Sequence, residues 1–147
     1  GVDADRPLDP KGTAQADRLA VLLACFGIRR VVSSDSLRCL DTVRPYATAT
    51  RVHVELEPRV SEEAHGGAPR GAGEAARELL ASGDAVVLGS HRPVLPTLFD
   101  AIGTLPTSPF EPSQVTDETL SPGSFVVVHR RHTDGRVEVV GVERHDV

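Results

Sequence analysis

Ala85-Val86-Val87-Leu88-Gly89-Ser90-His91-Arg92-Pro93 is the stretch that decides the fold. An unbroken apolar run rich in valine reads as a central strand, buried on both faces within a parallel sheet. Gly89-Ser90-His91 then makes a small polar turn. Pro93 suits the first position of a helix, where its missing N–H would have no partner anyway. The helix is expected over about 94–102.

A second unit of the same kind lies upstream. Ile28 to Val32 is short and β-branched, and Ser33-Ser34-Asp35 offers helix-capping side chains. Leu37, Leu40, Val43, Tyr46 and Ala47 then recur at helical spacing. Before it, residues 1–12 read as a loop, and a helical stripe runs from Ala16 to Phe26 with Gly27 as its C-cap. Val52, Val54 and Leu56 alternate like a strand. His65 to Gly73 reads as a glycine-rich loop, and Glu74 to Ala81 as a further helix. Residues 103–123, with four prolines, read as a long surface loop; Phe125–Val128 and Val137–Val142 pair through Asp134-Gly135, a hairpin turn signal. Strand and helix alternate along most of the length. The expected fold class is therefore α/β: a three-layer α/β/α domain with a mostly parallel central sheet, one domain over 1–147.

Composition narrows the function classes. The 147 residues are 39% hydrophobic and 25% charged, as in an ordinary globular chain. The net charge of −5 argues against binding a nucleic-acid polymer nonspecifically. No apolar run approaches the ~20 residues that span a bilayer, and no secretory signal is visible, so a cytoplasmic protein without a membrane role is expected. Of 16 basic residues only Lys11 is lysine, a bias of GC-rich coding that says nothing about function. Cys25 and Cys39 lack CxxC spacing and read as reduced, half-buried thiols. The six histidines show no metal-ligand spacing, and no cofactor is expected.

Ligands of open α/β sheets bind beyond the carboxyl ends of the strands. Both polar turns, 33–38 and 89–93, occupy such ends and open helices, whose free N–H groups attract anions. Arg38 could fork onto a phosphate, with His91 and Arg92 at the other turn. Taken singly these residues have ordinary readings too: a histidine at a helix start is often a cap, Arg38 and Arg92 could be surface residues, and Glu62 and Glu63 are surface acids.

Their order carries more. Leu8-Asp9-Pro10-Lys11-Gly12-Thr13-Ala14-Gln15-Ala16, Ser33-Ser34-Asp35-Ser36-Leu37-Arg38-Cys39-Leu40-Asp41-Thr42, Val60-Ser61-Glu62 and Gly89-Ser90-His91 resemble, in sequence order, segments of the histidine phosphatase superfamily, the phosphoglycerate-mutase-like fold. The opening Arg6-Pro7-Leu8-Asp9 and Ser90 to Pro96 look most like the branch fused behind MutT-type Nudix domains. The resemblance implies a phosphatase acting on a phosphorylated small molecule or nucleotide. Arg38, Arg92 and Ser34 would bind phosphate, His91 would be the second pocket histidine, and Glu62, or Glu63 one residue on, would protonate the leaving oxygen.

The family nucleophile is the histidine of an Arg-His-Gly motif, and that tripeptide does not occur in these residues. The expectation is that its strand is missing here and lies upstream, on an associated piece or on another chain, with an N-terminal Nudix domain in front. A competing reading keeps the anion pocket without the nucleophile, as a nucleotide-sensing module that docks on a partner domain or on a second copy as a homodimer.

Overall fold

The computed structural model describes residues 3–107 and 120–147. Asp9 starts α1 (Pro10–Leu23): its carboxylate accepts the Gly12 N–H at 2.7 Å, and Pro10 occupies the first turn. The helix therefore begins inside the stretch read as a loop. A 3-10 turn over Ala24–Phe26 follows, and Gly27 ends it at φ 61°, a left-handed conformation that glycine adopts without strain.

Strand β1 (Arg30–Ser33) leads to α2 (Leu37–Thr50), and β2 (Val54–Leu56) follows. The glycine-rich stretch departs from expectation, because it is helical. Ser61 accepts the Ala64 N–H at 3.1 Å and caps α3 (Glu62–Gly67), while Pro69 opens α4 (Pro69–Ala81). Capping and an N-terminal proline outweigh the glycines there, since Ala72, Gly73, Ala75 and Ala76 make a small-residue face that packs closely. Strand β3 (Val86–Gly89), a 3-10 turn over Arg92–Val94 and α5 (Leu95–Gly103) complete the alternating part.

The sheet is parallel, in the order β2-β1-β3. Val31 pairs with Val54 on one side and Val87 on the other, and Ser33 pairs with Leu56 and Gly89. One face packs Val31 and Val87 against Leu19, Leu23, Val43, Tyr46 and Ala47 of α1 and α2. The other sets Leu88 against Val60, Ala76, Val94, Leu98 and Ala101 of the α4–α5 side. This is the expected three-layer α/β/α arrangement.

Two features differ from the sequence reading. β3 is not central among the described residues: it is an edge strand, like β2, and is half-buried along its length. Cys25 is exposed and Cys39 buried, so neither is the half-buried thiol expected.

The C-terminal hairpin, β4 (Phe125–Thr133) and β5 (Arg136–His145), turns through Asp134 and Gly135 at φ 49° and 74°, the paired positive angles of a tight hairpin. Arg130 donates to the carbonyls of Leu79, Leu80 and Asp84 and ties the hairpin to the end of α4. Most of the long loop expected over 103–123 lies outside the described residues.

Val31 is fully buried at the centre of the α1–α2 face. Val31→Ala is expected to lower unfolding stability by about 2–3 kcal/mol, from lost apolar burial and the cavity left behind. Urea denaturation should show a lower midpoint at unchanged slope.

Candidate active site

The ladder between β1 and β3 continues one step beyond the strands: the Ser34 N–H donates to the Gly89 carbonyl at 2.9 Å. That step sets the two polar turns side by side. Ser34 Oγ lies 2.9 Å from His91 Nε2 and also accepts the Ser36 N–H at 3.2 Å. Gly89 lets the turns approach closely, since a Cβ there would stand 3.2 Å from Ser33 Oγ and 3.4 Å from Val43.

A third segment joins them. Ser90 Oγ donates to the Val60 carbonyl at 2.7 Å, which fixes the loop preceding α3 against the end of β3. Glu62, the first residue of α3, consequently reaches His91: its Oε1 lies 3.6 Å from His91 Nδ1. The imidazole is almost wholly buried, at 6% side-chain exposure, whereas the Glu62 side chain keeps 47%. Cys39 closes the other side, its Sγ 3.4 Å from His91 Nε2 and 3.4 Å from the Ser90 carbonyl.

Arg38, in the first turn of α2, is half-buried and lines a cavity of about 950 Å³ together with Glu62, His91 and Arg92. The structure thus brings together five residues singled out in the sequence, in two layers. Arg38, Glu62, His91 and the exposed Arg92 border the cavity, whereas Ser34 is fully buried behind His91. Glu63 is not among the residues that line it. Two contacts had no signal in the sequence: Cys39 against the imidazole, and the Ser90–Val60 tie. Both depend on how segments 30 or more residues apart are packed.

At the end of β3 the arrangement offers the Glu62 carboxylate, an imidazole hydrogen-bonded through Nε2 with Glu62 near Nδ1, and the Arg38 and Arg92 guanidinium groups, bordering a cavity that Asp84 and Arg130 also line. It suits a ligand with several negatively charged oxygens. Among the described residues no group of three or more His, Cys, Asp and Glu side chains could hold a metal ion, and no helix is long and apolar enough to cross a membrane.

The family model of the histidine phosphatase superfamily (branch 1) matches residues 1–82. The chain belongs to this superfamily. A curated relative, an 8-oxo-(d)GTP phosphatase of Mycolicibacterium smegmatis, is 31% identical over 100 residues, which are 68% of this chain and 31% of the relative. The chain therefore spans about a third of that relative's length. Among solved structures, mycobacterial glucosyl-3-phosphoglycerate phosphatase superposes with a TM-score of 0.65 at 18% identity, covering 93% of this chain and 88% of that one. The protein histidine phosphatase SixA complexed with tungstate gives 0.64 at 19% identity, over 98% and 87%. At these identities the two structures establish the fold that the histidine phosphatase chain shares with them.

Burial pushes the Cys39 thiol up from 9.0 to about 11, against the opposing effect of its hydrogen bond with Ser34. The folded chain thus holds a proton that the unfolded chain releases at lower pH. This contribution to stability is complete below pH ~9 and is lost as pH rises toward ~11, by up to about 2–3 kcal/mol. Urea denaturation at pH 8 and pH 10.5 is expected to show a steeper loss for the wild type than for Cys39→Ala.

Proposed function

We propose that this chain forms a histidine-phosphatase-type phosphohydrolase domain over residues 1–147, acting on a phosphomonoester or a nucleotide phosphate in the cytoplasm. The observation that carries the reading is the convergence of Arg38, Glu62 and His91 on one cavity, around the carboxyl end of β3. The M. smegmatis relative, named an 8-oxo-(d)GTP phosphatase, supports a nucleotide phosphate as substrate. An N-terminal Nudix domain belongs to the same reading, on the resemblance of Arg6-Pro7-Leu8-Asp9 and Ser90 to Pro96.

The roles follow from the charge of the reacting group. A transferring phosphoryl spreads negative charge over its equatorial oxygens, so fixed donors that meet those oxygens lower the barrier most. Arg38 forks onto two of them, and Arg92 holds a further anionic group of a larger substrate. Ser34 acts through His91 rather than on the phosphate, because its hydroxyl is fully buried and within hydrogen-bonding distance of the ring. When Ser34 donates to Nε2, the proton of the neutral ring sits on Nδ1, the nitrogen turned toward Glu62.

Glu62 is the acid. It is nearer to the imidazole than any other carboxylate described and open enough to meet a leaving group. The resemblance supplies the nucleophile, the histidine of an Arg-His-Gly motif. Its nitrogen attacks phosphorus, the bond to the leaving oxygen breaks, and that oxygen takes the Glu62 proton. The Glu62 carboxylate then takes a proton from water as the water oxygen attacks phosphorus and the phosphorus–nitrogen bond breaks, releasing inorganic phosphate and restoring both the ring and Glu62. The tripeptide does not occur in these 147 residues, so in this reading the histidine comes from polypeptide outside them.

That same observation favours a second reading, a nucleotide-binding or dimerisation module that keeps the pocket and lacks the nucleophile. The two separate in a phosphatase assay of the full-length protein with p-nitrophenyl phosphate and nucleoside triphosphates. The enzyme reading expects turnover, reduced about 10²–10³-fold by His91→Ala and comparably by Arg38→Ala. Undiminished turnover in His91→Ala would remove His91 from the site. Saturable nucleotide binding without turnover would establish the module.

A further inference from the structure

We propose that Cys39 is a positioning residue of the site: its sulfur is a second acceptor for the Ser34 hydroxyl proton, and by taking that proton it lets the buried His91 ring become a cation. The hydrogen-bond chain rests on geometry alone; its part in the reaction rests on the phosphohydrolase reading.

The first observation is that three side chains from separate segments share one buried space. Ser34, Cys39 and His91 keep 0%, 7% and 8% exposure. The ring's Nε2 lies 2.9 Å from Ser34 Oγ and 3.4 Å from Cys39 Sγ, and Ser34 also hydrogen-bonds the thiol. Each segment is held by its own backbone bonds. Ser34 extends the ladder of β1 with β3, the Cys39 N–H donates to the Ser36 carbonyl at 3.0 Å in the first turn of α2, and the His91 carbonyl accepts the Val94 N–H at 2.9 Å. Ser34 is wholly enclosed, so its proton has to find an acceptor among these neighbours.

The second observation is a count of donors and acceptors. A hydroxyl donates once and accepts twice. Ser34 Oγ accepts the Ser36 N–H at 3.2 Å, which leaves it one donor and one acceptor position. The Cys39 S–H donates to the Ser90 carbonyl at 3.4 Å, which leaves the sulfur lone pairs for a donor. Two arrangements satisfy these limits. In the first, Ser34 donates to Nε2, and the neutral ring keeps its proton on Nδ1, toward Glu62. In the second, the Ser34 hydroxyl turns to the sulfur, and Oγ accepts from a protonated Nε2. Donation then runs one way, from Nε2 to Ser34 Oγ, from Ser34 to Cys39 Sγ, and from the thiol to the Ser90 carbonyl. The ring gains one proton from solvent, and no bond between heavy atoms changes. Without the sulfur, the second arrangement strands the Ser34 proton in an enclosed space, and the ring is held neutral.

The thiol suits this place. Burial pushes it up to about 11, so it keeps its own proton for the Ser90 carbonyl throughout the neutral range. The charged groups around the pair are Asp35 and Arg38 at the start of α2, Glu62 at the start of α3, and Arg92 after the ring. Both carboxylates favour a charge on the ring and both guanidinium groups oppose it, and all four stay in place when Cys39 is changed. In the phosphohydrolase reading, the phosphoryl group adds negative charge beside His91. A ring able to turn cationic answers that charge with its Nδ1–H, while the Nε2–H is taken up by Ser34 and Cys39.

The test reads the ring directly. His91 is followed by NMR in the full-length protein carrying isotope-labelled histidine, its signals assigned by their loss in His91→Gln. The wild type is compared with Cys39→Ser, which keeps a donor and an acceptor. It is also compared with Cys39→Ala and Cys39→Val, which bracket the thiol in volume and offer no acceptor. Cys39→Ser is expected to titrate with the wild type. Cys39→Ala and Cys39→Val are expected to titrate about one pH unit lower, because the charged ring loses its satisfied hydrogen bond, and to hold the Nδ1–H tautomer above that midpoint. A thiol that only fills space predicts the opposite order, with Cys39→Val like the wild type and Cys39→Ser displaced. That order, or the same titration in every protein, would overturn the chain. Turnover of p-nitrophenyl phosphate reads the function separately. Displaced titration with no turnover even in the wild type leaves the chain standing and removes the phosphohydrolase reading; turnover with undisplaced titration does the reverse.

Discussion

The parallel pairing of β1 with β3 is the constraint on which the rest depends. Arg30 to Ser33 lie against Val86 to Gly89, and the Ser34 N–H extends the ladder to the Gly89 carbonyl. Side chains alternate along a strand, so a slip of one residue would turn Val87 away from the α1–α2 core and Leu88 away from α4 and α5. Both layers of the core oppose that slip. The same register places Ser34 Oγ at 2.9 Å from His91 Nε2, across 57 residues of sequence. Precision at the site is thus inherited from apolar packing several residues away.

The pocket borrows its rigidity from groups that have no chemical role. Ser90 holds the Val60 carbonyl, Ser61 caps α3, and Glu62 comes to His91 because of these two bonds. Each such bond stabilises the fold by only about 0.5–1.5 kcal/mol, but a buried hydroxyl left without a partner costs more than that. Ser33 and Ser34, both fully buried, find partners for their hydroxyls: Ser33 Oγ donates to the Ser34 carbonyl, and Ser34 Oγ accepts the Ser36 N–H and meets His91 Nε2 of the other turn. The turn has little freedom left, and the imidazole that depends on it is buried and fixed through Nε2. Such preorganisation is what an anion site needs, since donors already aimed at the oxygens need not rearrange during reaction.

The sequence showed most of this architecture where periodicity and punctuation agree. Gly27 ended its helix, Asp134-Gly135 made the hairpin, and the runs at Val31–Val32 and Val86–Leu88 were strands. It misled at 65–73, because glycine content was weighed without the Ser61 cap and the Pro69 start that make those residues helical. The site was legible as separate turns, since a polar turn after an apolar strand is a local pattern. The contact of Cys39 with His91 was not, because it needs the crossing of α2 over the strand ends, which no local spacing encodes. The burial of Ser34 was hidden for the same reason: the pattern marked the residue but not which side of His91 it would occupy.

The most informative misreading concerns β3. Val86-Val87-Leu88 has the composition of a strand with neighbours on both sides, and that was how it read; the described residues leave it at the edge. Composition reports the burial a segment is suited to, whereas among the described residues β3 has a paired neighbour on one edge. The difference bears on the chemistry. With β3 at an edge, His91 borders a wide cavity that admits water, and water weakens every charge interaction made there.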